Sequence, residues 1–300
     1  MPTPISLRLR PTAAILAVLA LLTIALLPPG ARAEPQAPDR ELSVMTYNIH
    51  VGIGEDDRLD LQRTADQIRS SGAEVAGLQE VDRHWAQRSD FVDQAQWLAR
   101  ELNMHVVYGA NLDRDPLSPG QPRRQYGTAI LSAHPILSSR NTLLPRPQGG
   151  EQRGLLEAVV NVRGVRVRIA NTHLQHNSAV ERAAQVEAIM ELLAGSREPV
   201  VLTGDLNARP NDPEIAPLST RYDDAWVEGG EGDGFTFSAA NPSSRIDYIF
   251  VSPEIAVESA TVLDSTASDH LPVVAELELP GRLVGNPDSR AAAARDGAGS

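Results

Sequence analysis

The sequence predicts an α/β domain of alternating short buried strands and amphipathic helices. Three observations carry that prediction. A strand–helix–strand order occurs twice, over residues 42–80 and again over 165–205. The strands of both units exit into polar residues: Asn48 and Glu80 in the first, His173 and then Asp205 with Asn207 in the second. No low-complexity linker, heptad run or short tandem repeat interrupts the chain between them, so roughly 250 residues are available to a single domain. A pseudo-twofold pairing of the two units would bring all these strand exits to one rim.

The clearest strand is residues 200–205. Val200-Val201-Leu202-Thr203 is short, continuous and rich in β-branched residues, and it follows Pro199 and a helix-like segment. With a side-chain period of two, Asp205 and Asn207 point the same way. They do so at the strand end where α/β sheets bind ligands. Gly204-Asp205-Leu206-Asn207 alone reads equally well as a turn; it is the polar residues at the other strand ends that favour a site.

The remaining elements follow in order. Residues 42–49 form a strand ending in Thr46-Tyr47-Asn48-Ile49-His50. Asp60 caps a helix over 61–69, with Leu61, Ala65 and Ile68 on one face and Gly72 beyond its end. Residues 75–80 form a buried strand with Glu80 at its exit. Asp90 is expected to open a second helix that puts Phe91, Ala95, Leu98 and Leu102 on one side. Strands are expected at 105–110, 126–132, 155–160 and 165–170, the last running into Asn171-Thr172-His173-Leu174. Ser178-Ala179-Val180-Glu181 is a capping box, and the helix behind it is expected to bury Ala183, Val186, Met190 and Leu193 before Gly195 ends it. Strands at 245–251 and 272–279 complete the set. An aspartate within the first of these, Asp247, is costly to bury without a partner. His270, in Ser268-Asp269-His270, is the natural one.

Composition bounds the rest. Arg8 and Arg10 precede a 15-residue apolar stretch, then Pro28-Pro29-Gly30 and Ala31-Arg32-Ala33. That is the order of a cleavable secretory signal over residues 1–33, with cleavage expected after Ala33. The stretch falls short of the ~20 residues a spanning helix needs, so no stable membrane anchor is expected and the protein is expected to be secreted or extracytoplasmic. A short linker follows at 34–40, the domain occupies 41–280, and residues 281–300 lack apolar periodicity and read as a disordered tail. The absence of cysteine excludes a disulfide framework. All 27 basic residues are arginine, which excludes Schiff-base chemistry and a lysine-bearing phosphate loop.

Tyr47-Asn48, Leu78-Gln79-Glu80-Val81, Thr172-His173-Leu174, Gly204-Asp205-Leu206-Asn207, Arg245-Ile246-Asp247-Tyr248 and Ser268-Asp269-His270 together resemble the endonuclease/exonuclease/phosphatase superfamily, in the family's order. That superfamily includes deoxyribonuclease I, abasic-site endonucleases, neutral sphingomyelinases and inositol polyphosphate 5-phosphatases. The resemblance implies a four-layer α/β/β/α sandwich of two facing mixed sheets and metal-dependent hydrolysis of phosphate esters. It assigns Glu80 as the main metal ligand, with Asn48 and Asp269 near it. Asp205 and Asn207 would orient the attacking water and a phosphoryl oxygen, His173 would donate to developing negative charge, and His270, held by Asp247, would be general acid/base. Either Asp205 or His270 would take the water's proton. Oxygen ligands without cysteine suit Mg²⁺, with Mn²⁺ and Ca²⁺ as alternatives.

Substrate is less defined. With the signal removed, 24 arginines face 39 acids, a net charge of −15, which disfavours indiscriminate binding to a nucleic-acid backbone. Between residues 114 and 153, however, six arginines meet only Asp115 and Glu151. Arg153, just before a strand, is the expected substrate contact, with His50 as a second. Arg123 and Arg124, beside Gly120 and Pro122, are expected to be mobile and to act through long-range attraction. A monomer acting on nucleic acid, a phospholipid headgroup or a small phosphodiester fits these features. An inactive binding module of the same fold is the non-enzymatic alternative.

Overall fold

A computed structural model describes residues 40–280; the predicted signal, nearly all of the predicted linker, and the 281–300 tail lie outside them. The first half contains β1 (Glu41–Asn48), α1 (Leu61–Ser71), β2 (Val75–Arg83), α2 (Gln94–Leu102), β3 (His105–Arg114) and β4 (Arg124–Ser132). Next come β5 (Ile136–Leu143), β6 (Gly154–Val162), β7 (Val165–His173), α3 (Ala179–Leu193) and β8 (Val200–Asp205). Two short helices, Ala216–Ser219 and Ala225–Gly229, flank the two-residue β9 (Asp223–Asp224). β10 (Asp247–Val251), β11 (Ala256–Val262) and β12 (Val273–Glu278) close the chain.

The strands form two six-stranded mixed sheets, ordered β11-β12-β1-β2-β4-β3 and β5-β6-β7-β8-β10-β9. β1 and β2 are parallel across α1, and β7 and β8 are parallel across α3. Each parallel pair is flanked by antiparallel strands, β12 and β4 in one sheet and β6 and β10 in the other. The two units therefore have the same topology.

Period-two alternation sorts the strands into layers. Leu42 and Val44 of β1, Val75 of β2, Val167 and Ile169 of β7 and Val201 of β8 fill the core between the sheets. Met45, Tyr47, Ala76 and Leu78 face outward onto Ala65, Ile68, Ala95 and Leu98 of α1 and α2. Ala170, Val200 and Leu202 face outward onto Val186, Ile189 and Leu193 of α3. Helices, sheet, sheet, helix: the sandwich has four layers.

A buried polar belt crosses the inner layer. Gln79 Nε2 donates to Asn171 Oδ1 at 2.7 Å and to Thr46 Oγ1 at 3.1 Å. Asn171 Nδ2 donates to the carbonyls of Leu78 and Ala129. These bonds fix how the sheets register on one another, with Gln79 Oε1 left as the belt's unpartnered atom among the described residues. Gly77 allows the close approach, because a Cβ there would lie 2.0 Å from Thr203 Oγ1. Gly77→Ala is expected to destabilise the fold by about 1–3 kcal/mol, as overpacking does. Urea unfolding of the two proteins measures it, and equal midpoints would contradict the close-approach role.

Several elements differ from expectation. α2 begins at Gln94, not after Asp90: Asp93 caps it through Gln96 N, while Asp90 and Phe91 adopt left-handed backbone and Phe91 stays exposed. The inner face of α3 is Gln185, Val186, Ile189 and Leu193, with Met190 partly buried against the same core as expected; of the four expected inner residues only Ala183 is exposed. Ser178 caps α3 through Glu181 N, but Glu181 bonds the 148–150 loop instead of closing the box. β10 starts at Asp247, so this residue sits at a strand end and not within one. β5 and β11, both on sheet edges, have too little apolar alternation to be predicted.

Candidate active site

The same alternation delivers the site. Asn48 shares the inner face of β1 with Leu42, Val44 and Thr46; His173 shares that of β7 with Val167, Ile169 and Asn171. Asp205 follows Val201 and Thr203 on β8, and Asp247 precedes Ile249 and Val251 on β10. Each is the inner-facing residue at the site end of its strand, so four polar side chains converge where the apolar core stops. Parity alone would send Glu80 outward with Leu78. A bulge between Leu78 and Val81, with Glu80 in the left-handed region at φ 57°, turns its carboxylate inward.

Asp205 Oδ2 is the hub. Asn48 Nδ2 donates to it at 3.1 Å, His173 Nε2 lies 3.4 Å away and His270 Nε2 3.7 Å away. Asn48 Nδ2 also donates to Glu80 Oε1 at 3.3 Å. His270 Nδ1 donates to Asp247 Oδ2 at 2.9 Å. Backbone amides orient the rest: His50 N donates to Asn48 Oδ1 and Asn207 N to Asp205 Oδ1. Asn207 Nδ2 donates to Leu174 O. Asp269 is half-buried, 3.7 Å from His50 Nδ1, whose own donor contact is Ile53 O.

Three further residues complete the geometry. Ser268 Oγ donates to Asn48 O and accepts from His270 N, tying the His270 loop to β1. Its spacing from His270 is that of a local serine turn, a readable but generic signal. Thr236 Oγ1 accepts from Ile246 N and Asp247 N, and the Phe237 ring lies 4.8 Å from that of His270. Both come from a loop with no periodic pattern.

Burial and charge set the protonation states. Burial works against a charged His270, but the carboxylates of Asp247 and Asp205 outweigh it and lift the imidazole to about 10. Burial and then the Asp247 charge raise Asp205 to about 7. Burial, followed by the Arg153 charge, holds His173 well below its ordinary value. The His270 contribution to stability is present below its unfolded value of about 6.5 and is lost as pH rises toward 10. In chelator, the melting temperature is therefore expected to fall across that window, less so in His270→Ala; parallel curves for the two proteins would contradict the pairing.

The donor set suits a hard divalent cation. Glu80, Asn48 and Asp269 offer oxygen ligands with no thiolate, and Glu80 is half-buried with Asn48 as its only side-chain hydrogen-bond partner among the described residues. Asp205, Asp247 and His270 also lie within 4.8 Å of one another. There, His270 Nδ1 occupies Asp247 Oδ2, while Asp247 Oδ1 is buried without a hydrogen-bond partner among the described residues, so the trio is both an acid–base unit and a second candidate cation site.

Arg153 departs from expectation. It is 3% exposed rather than on an open rim, because its guanidinium is drawn inward to His173 Nδ1 at 3.0 Å and Glu151 Oε1 at 3.1 Å. The other arginines of this stretch are not a free basic strip either. Arg123 is held by Asp113 and Asp115, Arg140 by Glu157, and Arg114 lies over the Trp85 ring. Arg124 donates to Asp115 O and Arg146 to Gly150 O.

Two facing mixed sheets with carboxylates, amides and imidazoles gathered at one rim define a deoxyribonuclease I-like phosphoesterase sandwich. The chain belongs to the endonuclease/exonuclease/phosphatase family, whose model matches residues 45–270. It is similar to the endonuclease/exonuclease/phosphatase from Beutenbergia cavernae, with 31% identity, a TM-score of 0.70 and coverage of 82% of this chain and 73% of that one. It is 30% identical over 174 residues to the cwh43 protein of Schizosaccharomyces pombe, covering 57% of this chain but only 17% of that protein's length. The mannosyl-6-phosphatase Bt3783 of Bacteroides thetaiotaomicron shares the fold at 22% identity and a TM-score of 0.64, covering 79% of this chain and 99% of that one.

Proposed function

We propose that this protein is an exported, metal-dependent phosphodiesterase that cleaves its substrate with an in-line water. The observation that carries this reading is the convergence of Asn48, His173 and His270 on Asp205, with Asp247 anchoring His270 from behind. Asp205, raised to about 7, is poised as a base near neutral pH. His270, charged at that pH, donates from Nε2 toward the charge that builds up as the ester bond breaks. His173 donates to a phosphoryl oxygen from Nε2. Asn207, fixed to Leu174 O, borders the same space. A divalent cation held by Glu80, Asn48 and Asp269 would neutralise phosphoryl charge and acidify the attacking water.

The paired arginines and the net charge of −15 left once the leader is removed (24 arginines against 39 acids) favour a compact diester, such as a lipid headgroup or small molecule, over a long polyanion. We place the protein outside the cytoplasm on its leader and expect a monomer without an anchor; among the described residues no helix is long and apolar enough to cross a membrane. The test is hydrolysis of bis-p-nitrophenyl phosphate and p-nitrophenyl phosphate with Mg²⁺, with and without chelator. A panel of DNA, RNA, sphingomyelin and phosphoinositides then follows. Chelator-sensitive cleavage of the diester is expected. A preference for the monoester would replace the diesterase reading, and no cleavage of any substrate would make the protein a binding module.

A further inference from the structure

The contact between Arg153 and His173 specifies more than proximity. A guanidinium carries only donors. An imidazole nitrogen 3.0 Å from Arg153 Nη1 can meet it only as an acceptor, so His173 Nδ1 presents a lone pair. In the neutral ring the proton then sits on Nε2, which lies 3.4 Å from Asp205 Oδ2, an acceptor. Both ends of the ring specify the same tautomer. Protonating Nδ1 would set N–H against N–H and cation against cation inside a buried pocket.

Other charged groups around the ring act in the same sense. His270 and His176 are the remaining titratable neighbours, and both, like Arg153, oppose a charge on His173. Asp205 on β8 faces only Nε2.

Arg153 is itself held in place. It immediately precedes β6, its carbonyl accepts from Leu144 N, and Glu151 Oε1 lies 3.1 Å from Nη1. The neighbouring loop is pinned to α3 by Glu181, whose carboxylate accepts from Gln148 N and Gly150 N. Glu181 is fully buried, so the support is internal.

We propose that Arg153 is a positioning residue that locks His173 as its Nε2–H tautomer, making His173 a permanent hydrogen-bond donor that serves as neither general acid nor general base. Locked in this way, the ring offers the site no lone pair with which to take a proton. It can lose its remaining proton only by becoming an imidazolate. His270 is left as the imidazole of this cluster able to exchange protons. What His173 donates to rests on the phosphodiesterase reading above; the tautomer does not.

Histidine-labelled ¹⁵N NMR of the full chain, in chelator and without substrate, tests the lock, with His173→Asn assigning the signal. The expected spectrum has an unprotonated Nδ1 and a protonated Nε2, unchanged from about pH 5 to 8. Arg153→Gln supplies a group that both donates and accepts. It is expected to give mixed tautomers, a His173 titration returning toward about 6.5, and a kcat lower by roughly 10-fold or more with little change in KM. Arg153→Lys, again a donor only, is expected to restore the Nε2–H tautomer and much of kcat. A wild-type ring protonated on Nδ1 would overturn the proposal. So would an Arg153→Gln protein that loses activity while keeping the wild-type His173 spectrum, since the loss would then be structural. If Arg153→Gln does not fold, the wild-type and Arg153→Lys spectra decide. A locked His173 in a protein that cleaves no phosphodiester would leave the lock standing and remove the proposed function.

Discussion

Replacing His270 with alanine is expected to lower kcat on a diester by about 10²–10⁴-fold, the range for loss of a positioned acid–base group. KM should change far less, because the ring faces Asp205 and not an open surface. Asp247→Asn is expected to cost less. It removes the carboxylate that accepts from His270 Nδ1 at 2.9 Å, but leaves Nε2 toward Asp205. The alkaline limb of the pH–rate profile, set in the wild type by an imidazole lifted to about 10, should move toward neutral in that variant. Steady-state kinetics of both proteins, with circular dichroism to confirm folding, measure the contrast. A larger loss in Asp247→Asn than in His270→Ala would mean that the aspartate does something other than hold the ring.

Much of this site was legible because alternation and chemistry coincide. Asn48, His173 and Asp205 each continue the inner-facing register of an apolar strand, so their convergence follows once two such units face each other. Asp247 needed a cationic partner, and His270 is that partner. What the sequence could not show are departures from regular register and long-range pairing. The bulge that turns Glu80 inward depends on left-handed backbone at a non-glycine residue, for which no residue pattern exists. The inward turn of Arg153 depends on Glu151, two residues before it, and His173, 20 residues after it, meeting at one guanidinium. Arg123 was expected to be free because its neighbours in sequence are Gly120 and Pro122; its real neighbours are Asp113 across the hairpin and Asp115. The N-terminus of α2 was misplaced because Asp90 and Asp93 are equally good caps by composition, and only the latter accepts from the helix.

Glu80→Gln is expected to abolish most of the metal response while sparing the fold. The substitution is nearly isosteric and keeps an oxygen to accept from Asn48 Nδ2, so the bulge and the belt beneath it should persist. What it removes is the half-buried carboxylate that, with Asn48 and Asp269, forms the proposed cation site. Perturbing a partner behind a metal ligand already costs about 10–100-fold in affinity; losing the charged ligand itself should cost at least as much. Binding stabilises a folded protein in proportion to the logarithm of ligand concentration over Kd. Wild-type protein should therefore melt at rising temperature as Mg²⁺ is added after chelation, whereas Glu80→Gln should stay near its metal-free value. Activity at ordinary Mg²⁺ should fall with it and recover partly at high concentration. Asp269→Asn gives the control for geometry, with a smaller loss expected because Asp269 lies toward His50 and the solvent edge of the site. If Glu80→Gln kept both the Mg²⁺-dependent rise in melting temperature and full activity, the cation would have to sit elsewhere, and the Asp205–Asp247–His270 trio would become the site to test.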